Sequence, residues 1–429
     1  MTLGASVDPN QAGAPALPAG PRPAVGAAPP ARPPLGQGTK RTAPIVELRE
    51  PFVARLVGAM AAPTLAIFSA LLLFGVFVAI TGRNPVAVYY QMYRGSFGTW
   101  FSFQNTLLRA APLMLTALAT ALPLRLGLVV LGGEGSMVIG GLAAAAAAMA
   151  AHNHGPNGMK LAMLLSGALV GGLWMATAGA LRAYRGVNET IATLLLNYIA
   201  IALLNHIVEG PLRDPASLNK PSTPPIGDDN MLGNVPGLDV HWGLAWGLFA
   251  CVAAWVLMNR TTFGFAARMV GGNVRAALLN GLPVGRLFVI TTLIGGACAG
   301  LAGSIEVAAI HGTANASLVT GYGYTGVLVA FIARGNPLAV IPVAVLLGGI
   351  GASGGLLQRV FDLPDATVNV LQGILFICIL FSETFNGRAP AFLRRAARPA
   401  AEIAAPAETK EAAPADAKTA APAVQGGGG

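Results

Sequence analysis

The sequence predicts an all-α, polytopic integral membrane protein, and three observations carry that prediction. The 429 residues are 54% hydrophobic and only 10% charged, whereas soluble domains carry about 25% charged residues. Apolar runs such as Val57–Ile80 are long enough to span a bilayer. The 55 glycines agree, because glycine is more frequent in membrane helices than in soluble ones.

Breaks at charged residues, Pro and Gly divide the apolar sequence into about ten transmembrane helices, within a predicted transmembrane domain of residues 46–390. The predicted spans are 57–80, 106–124, 130–151, 159–181, 189–209, 242–259, 287–309, 320–333, 337–355 and 366–386. Residues 1–45 and 391–429 are rich in Pro and Ala and lack an apolar run. They are predicted to be a disordered arm and a disordered tail.

The arginines predict the orientation of these spans. They are concentrated in alternate loops, whereas the longest opposite loop, residues 210–241, has more Asp than Lys and Arg. The positive-inside rule then places both termini in the cytoplasm, which requires an even number of spans. The unequal distribution of Lys and Arg between the two sets of loops also accounts for the net charge of +9. Membrane lipid is therefore expected as a partner, and nucleic acid is not.

Small residues and cysteines in the spans indicate packing. The G-x-x-x-G pairs Gly167–Gly171 and Gly296–Gly300 predict close contact between helices, within one chain or between two. The three cysteines all lie in apolar runs, where small buried packing residues are the expected role.

The loop after the sixth span, "RTTFGFAARMVGGNVRAALLNGLPVGRLF", is basic and contains no acidic residue. Asn273 is a good N-cap and Gly281 a good C′ residue, so together they predict a short helix over residues 274–280. Val274, Ala277 and Leu278 share one face of it at i, i+3, i+4 spacing. That apolar face predicts docking against a protein, with a position on the lipid headgroups as the alternative.

The motif "RAALLNG", Arg275–Gly281, resembles the Glu-Ala-Ala-x-x-x-Gly element of ATP-binding-cassette (ABC) importer permeases, with Arg275 in place of the glutamate. Four other stretches resemble segments of the branch that imports nucleosides and simple sugars, and the resemblance runs from about residue 100 to 386. These stretches are "NETIATLLLNYIAIALLNHIVEGPLRDP", "AGLAGSIEVAAIHG", "GYGYTGVLVAFIARGNPLAVIPVAVLLGG" and the one that contains "GGEGSMVIGG".

The resemblance implies a permease subunit in a bacterial inner membrane that moves a nucleoside or simple sugar by alternating access. It also implies three kinds of partner: a cytoplasmic ABC ATPase, a second permease subunit and an extracytoplasmic solute-binding protein. The chain has no G-x-x-x-x-G-K-[ST] phosphate loop, so ATP and Mg would be bound by the ATPase partner and this chain would not be an enzyme. The residues implied to couple to the ATPase are Asn273, Val274, Arg275, Ala276, Ala277, Leu278 and Gly281.

Polar residues inside the spans are candidates for the solute path or its gate, since an ionised group at bilayer depth costs about 2.5–3.5 kcal/mol and tends to face a cavity or a partner. Glu134 is predicted to be a structural anchor near the cytoplasmic gate, held by backbone amides that the surrounding glycines free from the helix. Asn188 and Glu189 are further structural or gate candidates, and Asn197, Glu306 and His311 are candidates for the solute path. A hydrogen bond that only fixes helix packing is the alternative for each.

An ion-coupled secondary transporter of small polar solutes is the alternative function. It would need acidic residues at the midplane, for which Glu134 and Glu306 are the candidates. No metal site is expected, because His152 and His154 lack the third and fourth ligands of a closed site. No catalytic set can be assembled from the five histidines either.

Overall fold

The computed structural model describes residues 52–151, 155–217 and 219–386, and these residues fold as a helical bundle. Short 3₁₀ or π turns occur at Asp228–Asn230, Val307–His311 and Ala316–Leu318. The α-helices are α1 Phe52–Ile80, α2 Pro85–Ser96, α3 Trp100–Leu124, α4 Gly133–Ala150, α5 Gly155–Arg185, α6 Glu189–Glu209, α7 Gly243–Arg260, α8 Thr262–Gly272, α9 Val274–Leu279, α10 Val284–Glu306, α11 Tyr322–Ile332, α12 Pro337–Phe361 and α13 Ala366–Asn386.

The predicted fold class is confirmed, but the number of spans differs from ten. Within the described residues, seven helices are long and apolar enough to cross a membrane: α3, α4, α5, α6, α7, α10 with its π turn, and α12. Helices α1 and α2 pass only as a pair bent by 116°, which raises the number to eight. The predicted span 320–333 falls on α11, which has only 11 residues because the chain before it is irregular. The predicted span 366–386 coincides with α13, of which Ala366–Ser382 is a shorter apolar helix.

Several predictions fall on residues that the structure does not describe. The arm of residues 1–45 and the tail of residues 391–429, both predicted to be disordered, and the loop with His152 and His154 all lie outside the described ranges.

Helices α4, α5 and α10 pack with their backbones in contact. A Cβ atom at Gly300 would lie 3.0 Å from the Cα of Gly171 and would overlap the carbonyl oxygen of Gly167. A Cβ at Gly303 would likewise overlap the carbonyl oxygen of Met137 on α4. The close packing predicted from the two G-x-x-x-G pairs is therefore confirmed, and it occurs within one chain.

The long loop of residues 210–242 covers one end of the bundle. Its Thr223 N–H donates to the carbonyl oxygen of Ala314 at 3.0 Å, which ties the loop to the segment after α10. His241 is buried where the loop joins α7, and its Nδ1 accepts a hydrogen bond from the N–H of Gly243 at 3.1 Å. Burial lowers the pKa of His241, so the ring stays neutral and able to accept that bond.

The contact at Gly303 predicts a stability difference between two identical substitutions. Gly303→Ala inserts a methyl group into α4 and should lower the melting temperature of the purified protein by at least about 3 °C, since overpacking costs about 1–3 kcal/mol. Gly355→Ala on α12 has open space around its Cβ position and should leave the melting temperature unchanged or slightly raised. Equal melting temperatures for the two variants would contradict the packing.

Candidate functional site

Glu134 joins the first turns of two helices that are far apart in sequence. It lies in the first turn of α4 and is fully buried. Its Oε1 accepts a hydrogen bond from the N–H of Gly321 at 2.8 Å, and its Oε2 accepts one from the N–H of Gly323 at 2.6 Å, at the start of α11. A carboxylate there satisfies backbone donors that a helix leaves free and is favoured by the positive ends of both helix dipoles.

The contacts of α11 with α3 place this bridge near the middle of the bundle. The hydroxyl of Thr116 on α3 donates to the carbonyl oxygen of Tyr322 at 3.0 Å, and Nε of Arg125 at the end of α3 donates to the carbonyl oxygen of Gly335 at 2.7 Å. Helix α11 therefore runs beside the second half of α3. At ~1.5 Å per residue, the bridge lies about 13 Å inside the end of α3, which is close to half of a ~30 Å hydrocarbon core.

This position corrects the prediction for Glu134 in two respects. The carboxylate is held by backbone amides, as predicted, but they belong to Gly321 and Gly323 and not to the glycines around Glu134. It also lies deep in the bundle and not at the turn after α3. The sequence could not show this, because the irregular chain between residues 125 and 132 returns from the end of α3 to its middle.

Asn197 on α6 fixes the irregular chain that leads into α4. Its side-chain NH₂ donates to the carbonyl oxygen of Leu131 at 2.7 Å, and its Oδ1 accepts from the N–H of Gly135 at 2.8 Å. The residue is fully buried. Asn197 was predicted to be a candidate for the solute path, but both ends of its amide are occupied by backbone groups in this structure.

Threonine hydroxyls satisfy other backbone groups of the same stretch. Non-helical backbone at membrane depth is stable only where protein groups replace the missing helix bonds. Three hydroxyls do so: Thr120 donates to Val130 O at 2.9 Å, Thr190 donates to Val129 O at 2.7 Å, and Thr193 accepts from Leu131 N at 3.1 Å.

Among the described residues, the other predicted polar candidates form no hydrogen bond with this bridge. Glu306 is buried at the end of α10, with its Oε2 3.6 Å from Nε2 of His311 in the following π turn. Asn188 is the N-cap of α6, and Glu189 pairs with Nε of Arg182 at 3.2 Å across the turn from α5. That ion pair is partly exposed, so it contributes little to stability.

The predicted short helix between α8 and α10 is present as α9, one residue shorter than expected at its end. Oδ1 of Asn273 accepts from the N–H of Ala276 at 3.1 Å, and Gly281 has a φ of 76°, so the predicted capping residues are confirmed. The predicted apolar face is divided, however. Ala277 is 0% exposed within this chain, whereas Leu278 is 56% and Leu279 88% exposed.

Two adjoining cavities lie beside α11 and α13. The larger one is also lined by Leu131 and by Leu194 of α6, and the smaller one by residues of α3 and α12. One has a volume of about 390 Å³ and the other about 120 Å³. Neither is lined by Asn197, Glu306 or His311. Both are lined by the same four polar residues, which will be called the shared wall: Thr320, Thr325, Asn369 and Gln372.

The residues of the shared wall are not among the predicted site residues, although the sequence of α13 contains a pattern that indicates two of them. Asn369 and Gln372 stand at i, i+3 within residues 368–381, which are otherwise apolar, so their two amides share one face of α13. Thr320 and Thr325 flank the glycine-rich start of α11 and gave no such signal.

The described residues contain no group of three or more His, Cys, Asp or Glu side chains that could hold a metal ion.

Comparison with known proteins identifies relatives across most of the chain. Residues 102–380 match the family described as branched-chain amino acid transport system / permease component. The chain is 31% identical to a glucose ABC transporter permease protein of Haloferax volcanii over 335 residues, which cover 76% of this chain and 88% of the relative. It is 30% identical to a guanosine ABC transporter permease protein of Bacillus subtilis over 332 residues, which cover 75% and 92%. A nucleoside ABC transporter permease protein of Lactococcus lactis is 24% identical over 335 residues, with 74% and 90% covered.

The bridge at Glu134 predicts a graded loss of stability. Glu134→Ala leaves two backbone N–H groups without acceptors at membrane depth and should cost roughly 2–6 kcal/mol, whereas Glu134→Gln keeps one acceptor and should cost about half as much. Both would appear as lowered melting temperature and yield in size-exclusion chromatography. Glu209→Ala, at the exposed end of α6, is the matched control and should behave as the unaltered protein. A Glu134→Ala variant with the control's melting temperature would contradict the bridge.

Proposed function

The chain belongs to the branched-chain amino acid transport system / permease component family, and on that premise we propose that it imports a nucleoside. It is a multi-pass permease subunit of an ABC transporter and a transport component, as its relatives are. Two of those relatives are named for guanosine and for nucleosides, and one for glucose. The observation that carries the nucleoside over other solutes is the larger cavity, whose lining combines hydroxyl, amide and aromatic side chains and includes no charged residue.

An uncharged lining of this kind fits a neutral solute rich in hydroxyl groups. The two rings in it, Tyr324 and Phe376, offer faces on which a planar base can stack. A simple sugar would use the hydroxyl and amide groups but would leave the ring faces without a partner of the same shape. An amino acid or an anion would need fixed charges in the lining.

ATP would act on this chain through α9. Its exposed Leu278 and Leu279 form a small apolar knob on a loop without acidic residues, and such a knob fits an apolar groove on the ATPase subunit. Ala277 would transmit movement inward, because its side chain already packs in this chain's own core. Arg275 is exposed beside the knob, where the family element has glutamate, so the facing ATPase surface should be acidic.

The remaining assembly follows from the same proposal. ATP and Mg are bound by the ATPase partner, a second permease subunit completes the solute path, and an extracytoplasmic binding protein delivers the solute to the end covered by residues 210–242. Both termini then lie in the cytoplasm, flanking a permease domain of residues 46–390 in the bacterial inner membrane. The basic loop that contains α9 supports this orientation.

Ion coupling is less well supported than ATP coupling. An ion-driven transporter needs a carboxylate that gains and loses its ion as the path opens, but both oxygens of Glu134 are occupied by backbone N–H groups. The matching relatives are also ABC transporter permeases.

Uptake of a radiolabelled nucleoside tests the proposal. Cells that express the complete transporter should accumulate guanosine or adenosine, lose that uptake on ATP depletion, and keep it when a protonophore collapses the ion gradients. Excess unlabelled glucose should compete poorly. Uptake that survives ATP depletion but not the protonophore would overturn ATP coupling, and efficient competition by glucose alone would overturn the nucleoside assignment.

The knob on α9 gives a second prediction. Leu278→Glu combined with Leu279→Glu should reduce ATP-dependent uptake at least about tenfold and abolish copurification of the ATPase, while the melting temperature stays unchanged because both side chains are already exposed. Val360→Glu, on a similarly exposed apolar side chain at the opposite end of the bundle, should keep the ATPase bound. Normal uptake and copurification in the double variant would contradict the docking role.

A further inference from the structure

The shared wall exposes amide and hydroxyl groups within largely apolar segments of the chain. Asn369 and Thr320 are exposed and Gln372 and Thr325 are partly exposed in the single chain. Lipid offers no hydrogen-bond partners, so polar groups at membrane depth face protein or a water-filled path. The surface that carries these four residues therefore does not face lipid in the assembled transporter.

The shared wall also lies at the depth of the Glu134 bridge. Thr325 is in the first turn of α11, two residues after Gly323, whose N–H binds the Glu134 carboxylate. The hydroxyl of Thr325 donates to Oε1 of Gln372 on α13 at 2.9 Å. Because Glu134 is near mid-depth, this hydrogen bond lies near the middle of the bundle as well.

The two hydrogen-bonded side chains, Thr325 and Gln372, line both cavities, and the cavities extend from them in opposite directions. The larger cavity extends past Leu328 and Phe376, toward the end of the bundle where α11 stops beside Arg125. The smaller cavity extends toward Asp365, just before α13 begins, at the opposite end. A solute that moved between the two cavities would pass this hydrogen bond.

The smaller cavity differs from the larger one in carrying charge. Arg109 on α3 and Asp365 line it, and the Arg109 guanidinium also interacts electrostatically with Glu306 of α10. A guanidinium and a carboxylate together supply donors and acceptors that suit a hydroxyl-rich group. The larger cavity supplies Tyr324 and Phe376 instead.

We propose that the shared wall is the solute-contacting site of this subunit, at which a nucleoside displaces the Thr325–Gln372 hydrogen bond as it passes from the smaller cavity to the larger. This inference rests on the proposed function and names the residues that carry it. The base stacks against Tyr324 or Phe376, and the amides of Asn369 and Gln372 bind its polar edge or the ribose hydroxyls. The volume of about 390 Å³ lies within the ~300–1,000 Å³ range of small-molecule sites.

The amide of Gln372 and the hydroxyl of Thr325 should contribute differently to solute binding, and uptake kinetics can measure the difference. Gln372→Leu should raise KM for nucleoside uptake about tenfold, as the loss of one or two hydrogen bonds to the solute does, while the maximal rate stays within about twofold. Thr325→Val should raise KM less, because it also frees Gln372 for the solute. Thr177→Val is the matched control: its hydroxyl is exposed on α5 and bonds only to the carbonyl oxygen of Trp174 on the same helix.

A thiol at the wall distinguishes a solute site from a purely structural one. Asn369→Cys should react with a water-soluble methanethiosulfonate reagent above the background of the three natural cysteines, and saturating guanosine should slow that reaction at least about fivefold. The complete transporter in membrane vesicles is the sample, so that the second permease subunit is in place.

The outcomes separate this inference from the proposed function. An unaltered KM in Gln372→Leu, or labelling of the Asn369→Cys thiol that guanosine does not slow, would overturn the solute site while leaving nucleoside import intact. Absence of labelling would show that lipid or a partner helix covers the wall, which also overturns it. If the unaltered transporter takes up no nucleoside, the proposed function fails and this inference fails with it.

Discussion

One carboxylate between two helix starts organises the interior of this protein. Glu134 accepts hydrogen bonds from two amides at the start of α11 while it sits in the first turn of α4. The two helices begin near mid-depth, so their free N–H groups would otherwise face each other without acceptors. A buried negative charge is costly by itself, but here the backbone donors and the ends of two helix dipoles offset that cost.

The irregular chain beside this bridge is likewise stabilised by side chains that form hydrogen bonds with its backbone groups. The stretch before α4 is bound on one side by the Thr120 hydroxyl of α3 and on the other by Thr190, Thr193 and Asn197 of α6. Irregular backbone within a bilayer is stable only in such surroundings. Because α11 begins at mid-depth, its first turn places Thr325 opposite α13. The start of α11, whose free N–H groups bind Glu134, therefore also positions part of the shared wall.

The loop helix α9 and the interior are parts of one apolar core. Ala277 of α9 belongs to the same buried cluster as Leu128 and Val130, which lie in the irregular stretch before Glu134. The exposed Leu278 and Leu279 are outside that cluster. A partner that moved α9 would therefore act on groups packed continuously toward the middle of the bundle, and close packing transmits such displacements.

The sequence alone determined the fold class, the positions of most of the long apolar helices and the capped helix α9, because apolar run length, glycine content and capping residues are local properties. It did not predict α2 or α8. It also predicted that backbone amides bind the Glu134 carboxylate, since an isolated acidic residue among glycines in an apolar run has few other hydrogen-bond partners. Only the tertiary structure decided which amides bind Glu134, that Asn197 is used by the backbone, and that Ala277 faces inward. It also brought Thr320 and Thr325 to Asn369 and Gln372, which lie about 50 residues further along the chain. These pairings join distant parts of the chain at a depth in the bundle that depends on where α4 and α11 begin. No local sequence pattern specifies that depth.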